Sequence, residues 1–99
     1  MVTKYGAALA VLLATSAFAG NVDARERHLQ YRIDQGIRSG ELNRREAARL
    51  EGRERHIDRE IARDRALNGG YLTPREHLRV ERQENRLSRS VYREKHDLR

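Results

Sequence analysis

The sequence predicts an all-α protein in which a signal-peptide helix precedes a three-helix antiparallel hairpin or bundle with short glycine-containing turns. Three observations favour this fold class. A helix-start pattern occurs three times, apolar residues recur with helical spacing after each start, and glycines follow the first two helical stretches. The chain has 99 residues, so we expect one small domain after the signal peptide.

Residues 1–19 have the three parts of a secretory signal peptide. Lys4 gives a positive start, residues 7–14 form a short apolar stretch, and the run Ala-Phe-Ala ending at Ala19 is a small-x-small cleavage pattern. The apolar stretch is too short to cross a bilayer as a helix. We therefore expect cleavage near Ala19 and a domain of residues 20–99 located in the periplasm or secreted.

Each predicted helix begins with a residue that can cap its N-terminus, followed three positions later by glutamate. In this capping box the cap side chain accepts a hydrogen bond from one backbone N–H, and the glutamate accepts one from the cap residue. Gly40 and residues 68–70 (Asn-Gly-Gly) can end the first two helices. We place the helices at about 23–38, 44–67 and 74–97. The predicted cap pairs are Asp23 with Glu26, Asn43 with Glu46, and Thr73 with Glu76.

Apolar residues form a stripe along each predicted helix, which indicates the faces that pack together. An internal repeat supports the same organisation, because residues 25–28 (Arg-Glu-Arg-His) recur as residues 53–56. The offset indicates a duplicated helix–turn–helix unit of roughly 28–30 residues. The stripes are Leu29, Ile33 and Ile37; then Ala47, Leu50, Ile57 and Ile61; then Val80, Leu87, Val91 and Leu98.

The composition excludes several function classes. The chain lacks cysteine, so a disulfide-stapled domain, a thiol enzyme and a Cys-ligated zinc domain are excluded. It also lacks a Ser-His-Asp order, a Gly-rich phosphate loop and a zinc-protease motif. The carboxylates lie among arginines, so we expect lowered pKa values for them. The sequence therefore predicts a protein that is not an enzyme and has no cofactor.

An arginine ridge on the third helix is the strongest charge pattern. Six arginines fall within an arc of about 80° and extend for about 27 Å. The net charge of +6 includes one charge in the signal segment, Lys4. The ridge predicts contact with an anionic envelope component such as lipopolysaccharide or anionic lipid, and export argues against nucleic acid as the partner. A solvated charged face is the alternative, and a homodimer is a further candidate assembly. The predicted anion-binding residues are Arg75, Arg79, Arg82, Arg86, Arg89 and Arg93.

Histidines give the alternative function, a periplasmic divalent-metal-binding or metal-stress protein. His28, His56 and His96 are the candidate ligands, together with nearby carboxylates. The two turns, residues 40–46 and 70–76, resemble the second half of an EF-hand loop, with a glycine, an apolar residue and a closing glutamate. Their first halves do not supply the anionic oxygens that Ca²⁺ needs, so capped turns explain the same residues.

Three stretches of the chain carry a resemblance to known proteins. They are residues 35–51 (Gln-Gly-Ile-Arg-Ser-Gly-Glu-Leu to Arg-Glu-Ala-Ala-Arg-Leu-Glu), residues 83–88 and residues 92–97. The sequence resembles a group of small, uncharacterised exported helical proteins of proteobacteria. That resemblance implies a helical fold and a periplasmic location, and it carries over no catalytic or ligand residue.

Overall fold

The fold is described for residues 22–97 by a computed structural model, and it confirms the predicted all-α class with three helices. The described part of helix α1 covers residues 22–39, α2 covers Arg44–Leu67 and α3 covers Pro74–Lys95. Helix α2 has the predicted bounds, and α3 ends two residues before the predicted end. The predicted signal peptide lies outside the described residues.

Side-chain contacts between the helices give the topology of the bundle. Arg25 donates to Asn85, and Arg32 donates to Ser88, so α1 and α3 run in the same direction. Between α2 and α3 the order is reversed. Arg53, early in α2, donates to Ser90 late in α3, and Arg79, early in α3, donates to Asp64 late in α2. Among residues 22–97, no helix is long and apolar enough to cross a membrane.

The starts of α2 and α3 are fixed by the predicted capping boxes. The Asn43 side chain accepts a hydrogen bond from the Glu46 N–H at 2.8 Å, and the Glu46 carboxylate accepts one from the Asn43 N–H at 3.0 Å. The same reciprocal pair joins Thr73 and Glu76, at 3.1 and 2.9 Å. These bonds satisfy backbone N–H groups that the first turn of a helix leaves without partners.

The predicted cap at Asp23 is wrong. Val22 is already helical, so Asp23 lies within α1, where its carboxylate accepts a hydrogen bond from Arg65 at 3.1 Å. Both carboxylate oxygens of Glu26 are buried. The glutamate three residues after Asp23 is therefore turned into the bundle and does not reach back to the helix start.

The core is a column of aliphatic side chains contributed by all three helices and by Leu42 of the first turn. One residue of the predicted stripes differs from expectation, since Ile37 is 42% exposed, whereas Leu98 lies outside the described residues. The buried cluster is Val22, Leu29, Ile33, Leu42, Leu50, Ile57, Ile61, Val80, Leu87 and Val91.

Gly36 allows the first turn to close on α1. A Cβ atom at this position would lie 2.6 Å from Cδ1 of Leu42, whose side chain is buried. The Leu42 N–H also donates to the Gly36 carbonyl at 3.0 Å. The turn itself needs Gly40, whose φ of 81° is unfavourable for other residues.

We expect the substitution Gly36→Ala to lower the free energy of unfolding by about 1–3 kcal/mol, because the added methyl group overpacks against Leu42. Gly52→Ala is the matched control. The nearest atom to a Cβ there is Nη2 of Arg55 at 4.0 Å, and alanine is the better helix former by about 1 kcal/mol. Urea unfolding followed by far-UV circular dichroism measures both changes. Equal effects of the two substitutions would contradict the close contact.

Candidate functional site

The arginine ridge of α3 is only partly available for an external ligand. Arg79 donates to Asp64 at 2.7 Å and lies 4.0 Å from Glu60, so its charge is used within the bundle. Arg93 donates to the Ser90 hydroxyl at 3.3 Å. The four remaining ridge arginines are exposed and form no ion pair with an acid of residues 22–97: Arg75, Arg82, Arg86 and Arg89.

A groove of about 390 Å³ between α2 and α3 adds basic side chains of α2 to this face. Gly52 lines it, and the absent side chain leaves room for a ligand. Arg53 is fixed toward the groove because its Nη1 donates to the Ser90 hydroxyl at 2.8 Å, while Arg49 is paired with Glu94. The lining residues are Arg49, Gly52, Arg53, His56, Ile57, Gln83 and Arg86, and we call this set the basic groove.

The three predicted metal-binding histidines are not gathered into one cluster. His56 lies 3.5 Å from Glu60, whereas His96 stacks on Tyr92 with ring centroids 4.1 Å apart. His28 is exposed on α1. Within the described chain, none of these histidines belongs to a group of three or more side chains that could share a metal ion.

Carboxylates lie where the sequence predicts only apolar packing. Each helix has one glutamate inside its core stripe, four residues after a first apolar residue and three before a second. Glu54 is 3% exposed, and Glu84 is completely buried. We call Glu26, Glu54 and Glu84, together with Asp58, the carboxylate layer. The three stripes read Val22-Glu26-Leu29-Ile33, Leu50-Glu54-Ile57-Ile61 and Val80-Glu84-Leu87-Val91.

The layer differs from Asp64, another buried acid of the bundle. Asp64 is also buried, but it accepts a hydrogen bond from Arg79 and lies 3.9 Å from Arg63. The cation that pairs with Glu84 is Nη1 of Arg25, 3.9 Å from Oε1, which is too long for a hydrogen bond. Neither Glu84 nor Glu26 accepts a hydrogen bond from an N–H or hydroxyl group; instead the protonated Glu26 carboxyl donates to the carboxyls of Asp58 and Glu84.

Burial raises the pKa of these glutamates, which contradicts the lowered values expected from the sequence. Desolvation is the largest cause of the raised pKa at each of the three glutamates of the layer. It raises the pKa of Glu26 to about 10, assisted by the neighbouring carboxyls of Asp58 and Glu84. It raises the pKa of Glu54 to about 7, assisted by Asp58, Asp34 and Glu51. The pKa of Glu84 is also raised by desolvation, although the hydrogen bond from Glu26 and the charges of Arg25 and His77 favour its charged form.

The expectation failed because desolvation outweighs the neighbouring arginines: Arg55 lowers the pKa of Glu54, but burial has the larger effect. On a helix, the arginines that flank Glu26 and Glu54 project to other faces, while the glutamate projects with the apolar residues. Helical projection places Glu84 about 40° from Val80 and about 20° from Val91, on the apolar side of α3, so the sequence did contain the signal. The repeat of residues 25–28 at 53–56 also pairs Glu26 with Glu54.

Comparison with known proteins found no matching family model, no matching curated protein and no matching solved structure. The resemblances to exported proteobacterial proteins and to EF-hand loops therefore stay predictions. A function has to be inferred from the basic groove and the carboxylate layer themselves.

We expect the protein to lose stability as the pH rises in the absence of divalent cations. A carboxyl whose pKa is higher in the folded than in the unfolded state stabilises the fold below its unfolded pKa, and this contribution is lost as the pH passes the folded pKa. For Glu54 the loss occurs between its ordinary pKa of 4.5 and about 7, and Glu26 extends it to about 10. The contribution of Glu54 is on the order of 3 kcal/mol.

Urea unfolding with a chelator present, at several values between about pH 5 and about pH 9, measures this dependence. Glu54→Gln should reduce the slope, because glutamine does not ionise. Glu41→Gln is the control, since Glu41 is exposed and lies in the turn after α1, outside the carboxylate layer. A free energy of unfolding that increases over this range would rule out a protonated layer.

Proposed function

We propose that residues 20–99 form a non-enzymatic periplasmic protein that binds phosphate groups of an anionic envelope component through the basic groove and the adjoining ridge arginines. Lipopolysaccharide and anionic lipid headgroups are the two sources of this chemistry. One observation carries the proposal: Arg53 and Arg86 from two different helices line the same open groove, and no acid of residues 22–97 forms an ion pair with either.

The chemistry of arginine supports a phosphate ligand. The guanidinium group is planar and can donate two parallel hydrogen bonds to a phosphate. Arginines that face one groove repel one another, and an anion between them removes that repulsion. Arg53 is already oriented by Ser90, so less side-chain freedom is lost when it binds.

The lining of the groove favours phosphate over a nucleic-acid base. It contains no Phe, Tyr or Trp side chain on which a base could stack. Arg82 and Arg89 lie beside Arg86 on the exposed face of α3, so a surface that carries many phosphates would contact the groove and the ridge together. This arrangement fits a membrane surface better than a single small anion.

We expect the double charge reversal Arg82→Glu with Arg86→Glu to weaken binding to anionic vesicles by at least about tenfold, because each basic residue near such a surface contributes about 1 kcal/mol. The probe is phosphatidylcholine vesicles with and without phosphatidylglycerol, in a sedimentation assay. Wild-type binding should also decrease as salt is added. Purified lipopolysaccharide in a parallel titration distinguishes the two phosphate sources.

The matched control is Arg38→Glu with Arg44→Glu. It changes the net charge by the same amount at two exposed arginines near the first turn, away from the basic groove. If both double variants lose the same affinity, binding depends only on total charge and the groove is not the site. Far-UV circular dichroism establishes that each variant keeps the helical fold.

A further inference from the structure

We propose that the carboxylate layer is a binding site for one divalent cation that prefers oxygen ligands, held by Glu26, Glu54 and Asp58 with Glu84 beside them. This inference goes beyond the anion-binding function and uses none of its residues. It also differs from the histidine sites predicted from the sequence, since all four side chains are carboxylates.

The geometry of the first three side chains fits a single ion. One carboxylate oxygen from each of Glu26, Glu54 and Asp58 lies within 4.8 Å of the other two. Three carboxylate oxygens this close together can be ligands of one ion, and oxygen ligands are those that Ca²⁺ and Mg²⁺ prefer. Ca²⁺ tolerates irregular coordination geometry better than Mg²⁺, so we expect it to fit these three side chains better.

A second observation is independent of this cluster. Oε2 of the 97%-buried Glu54 lacks a hydrogen-bond partner. Glu84 is completely buried, and the group that hydrogen-bonds its carboxyl is another acid, Glu26, which supplies no positive charge. Buried polar atoms in folded proteins are rarely left unsatisfied, so these oxygens are positioned for a ligand that supplies positive charge.

The arginines of the chain do not supply this positive charge to the carboxylate layer. Arginine is abundant in the chain and reaches the buried Asp64 directly, yet Arg25 stays 3.9 Å from Glu84 and is held by Asn85. A metal ion with two charges would balance two carboxylates.

The layer has a route to the solvent. A depression of about 320 Å³ between α1 and α2 is lined by Glu26, Asp58 and Asp23, among others. Asp58 is exposed, whereas Glu54, one helical turn earlier on the same face of α2, is buried. A hydrated ion can thus meet Asp58 first and lose its water as it moves toward Glu26 and Glu54.

Binding of the ion would join helices distant in sequence. Glu26 belongs to α1, Glu54 and Asp58 to α2, and Glu84 to α3. Since the chain has no disulfide and a small core, one cation at this level would hold the bundle together in the way that metals stabilise other small domains.

Calorimetric titration of the purified protein with Ca²⁺, Mg²⁺ and Mn²⁺ alone tests the site. We expect one saturable site for Ca²⁺ and a higher melting temperature in its presence. Glu54→Gln and Asp58→Asn should each weaken binding by at least about tenfold, because each removes an anionic ligand. The Glu41→Gln control should bind as the wild type does.

Two features keep the test decisive. Glu54→Gln removes a buried charge and preserves side-chain shape, so the variant should fold without the ion, and circular dichroism checks this. Asp58 is exposed, so Asp58→Asn reports on binding even if the other variant unfolds. Absence of saturable binding by any of the three ions, or equal binding by both variants and the wild type, would overturn the site. The Arg82→Glu, Arg86→Glu protein should still bind the cation, which separates this proposal from the anion-binding one.

Discussion

Three glutamates in the middle of a small core are the constraint that shapes the rest of this bundle. In each helix a glutamate occupies one central position of the apolar stripe, and the remaining aliphatic residues lie above and below that level. An ionised carboxylate without a partner is costly to bury, so the layer has to be neutral or counterbalanced whenever the protein is folded. Protons supply that balance at low pH, and a cation can supply it at higher pH. The stability of the bundle is therefore tied to its solution conditions through one layer of the core.

The same constraint makes the outer surface more basic than the net charge of the chain indicates. Acids that face inward cannot pair with the arginines that flank them in sequence. Arg55, beside Glu54, and Arg86, two residues after Glu84, both remain exposed. Burial of the acids and accumulation of positive charge on the outside are two consequences of one sequence pattern. The basic groove and the carboxylate layer can thus have separate ligands of opposite charge within a single three-helix domain.

The sequence predicts the helices well and the site only in part, and the reason lies in what each signal depends on. Capping at Asn43 and Thr73 is decided within four residues, so local sequence is sufficient. The pattern at Asp23 is identical, but packing of Glu26 against other helices overrides it. Arg79 belongs to the ridge by its helical spacing, but its guanidinium group donates a hydrogen bond to the buried Asp64 of α2. The orientation and availability of the functional side chains are decided by interactions between helices, and no local sequence pattern contains those interactions.

The internal repeat explains how three glutamates reach the same level of the bundle. Glu26 lies 13 residues before the end of α1 at residue 39, and Glu54 lies 10 residues after the first residue of α2. The second hairpin repeats both intervals, since Glu54 lies 13 residues before Leu67 and Glu84 lies 10 residues after Pro74. At 1.5 Å per residue, the interval of 13 residues is about 4.5 Å longer than the interval of 10 residues, and this difference is the same in both hairpins. Two hairpins with identical intervals therefore bring the third glutamate to the level of the first, so the layer follows from two hairpins of the same dimensions.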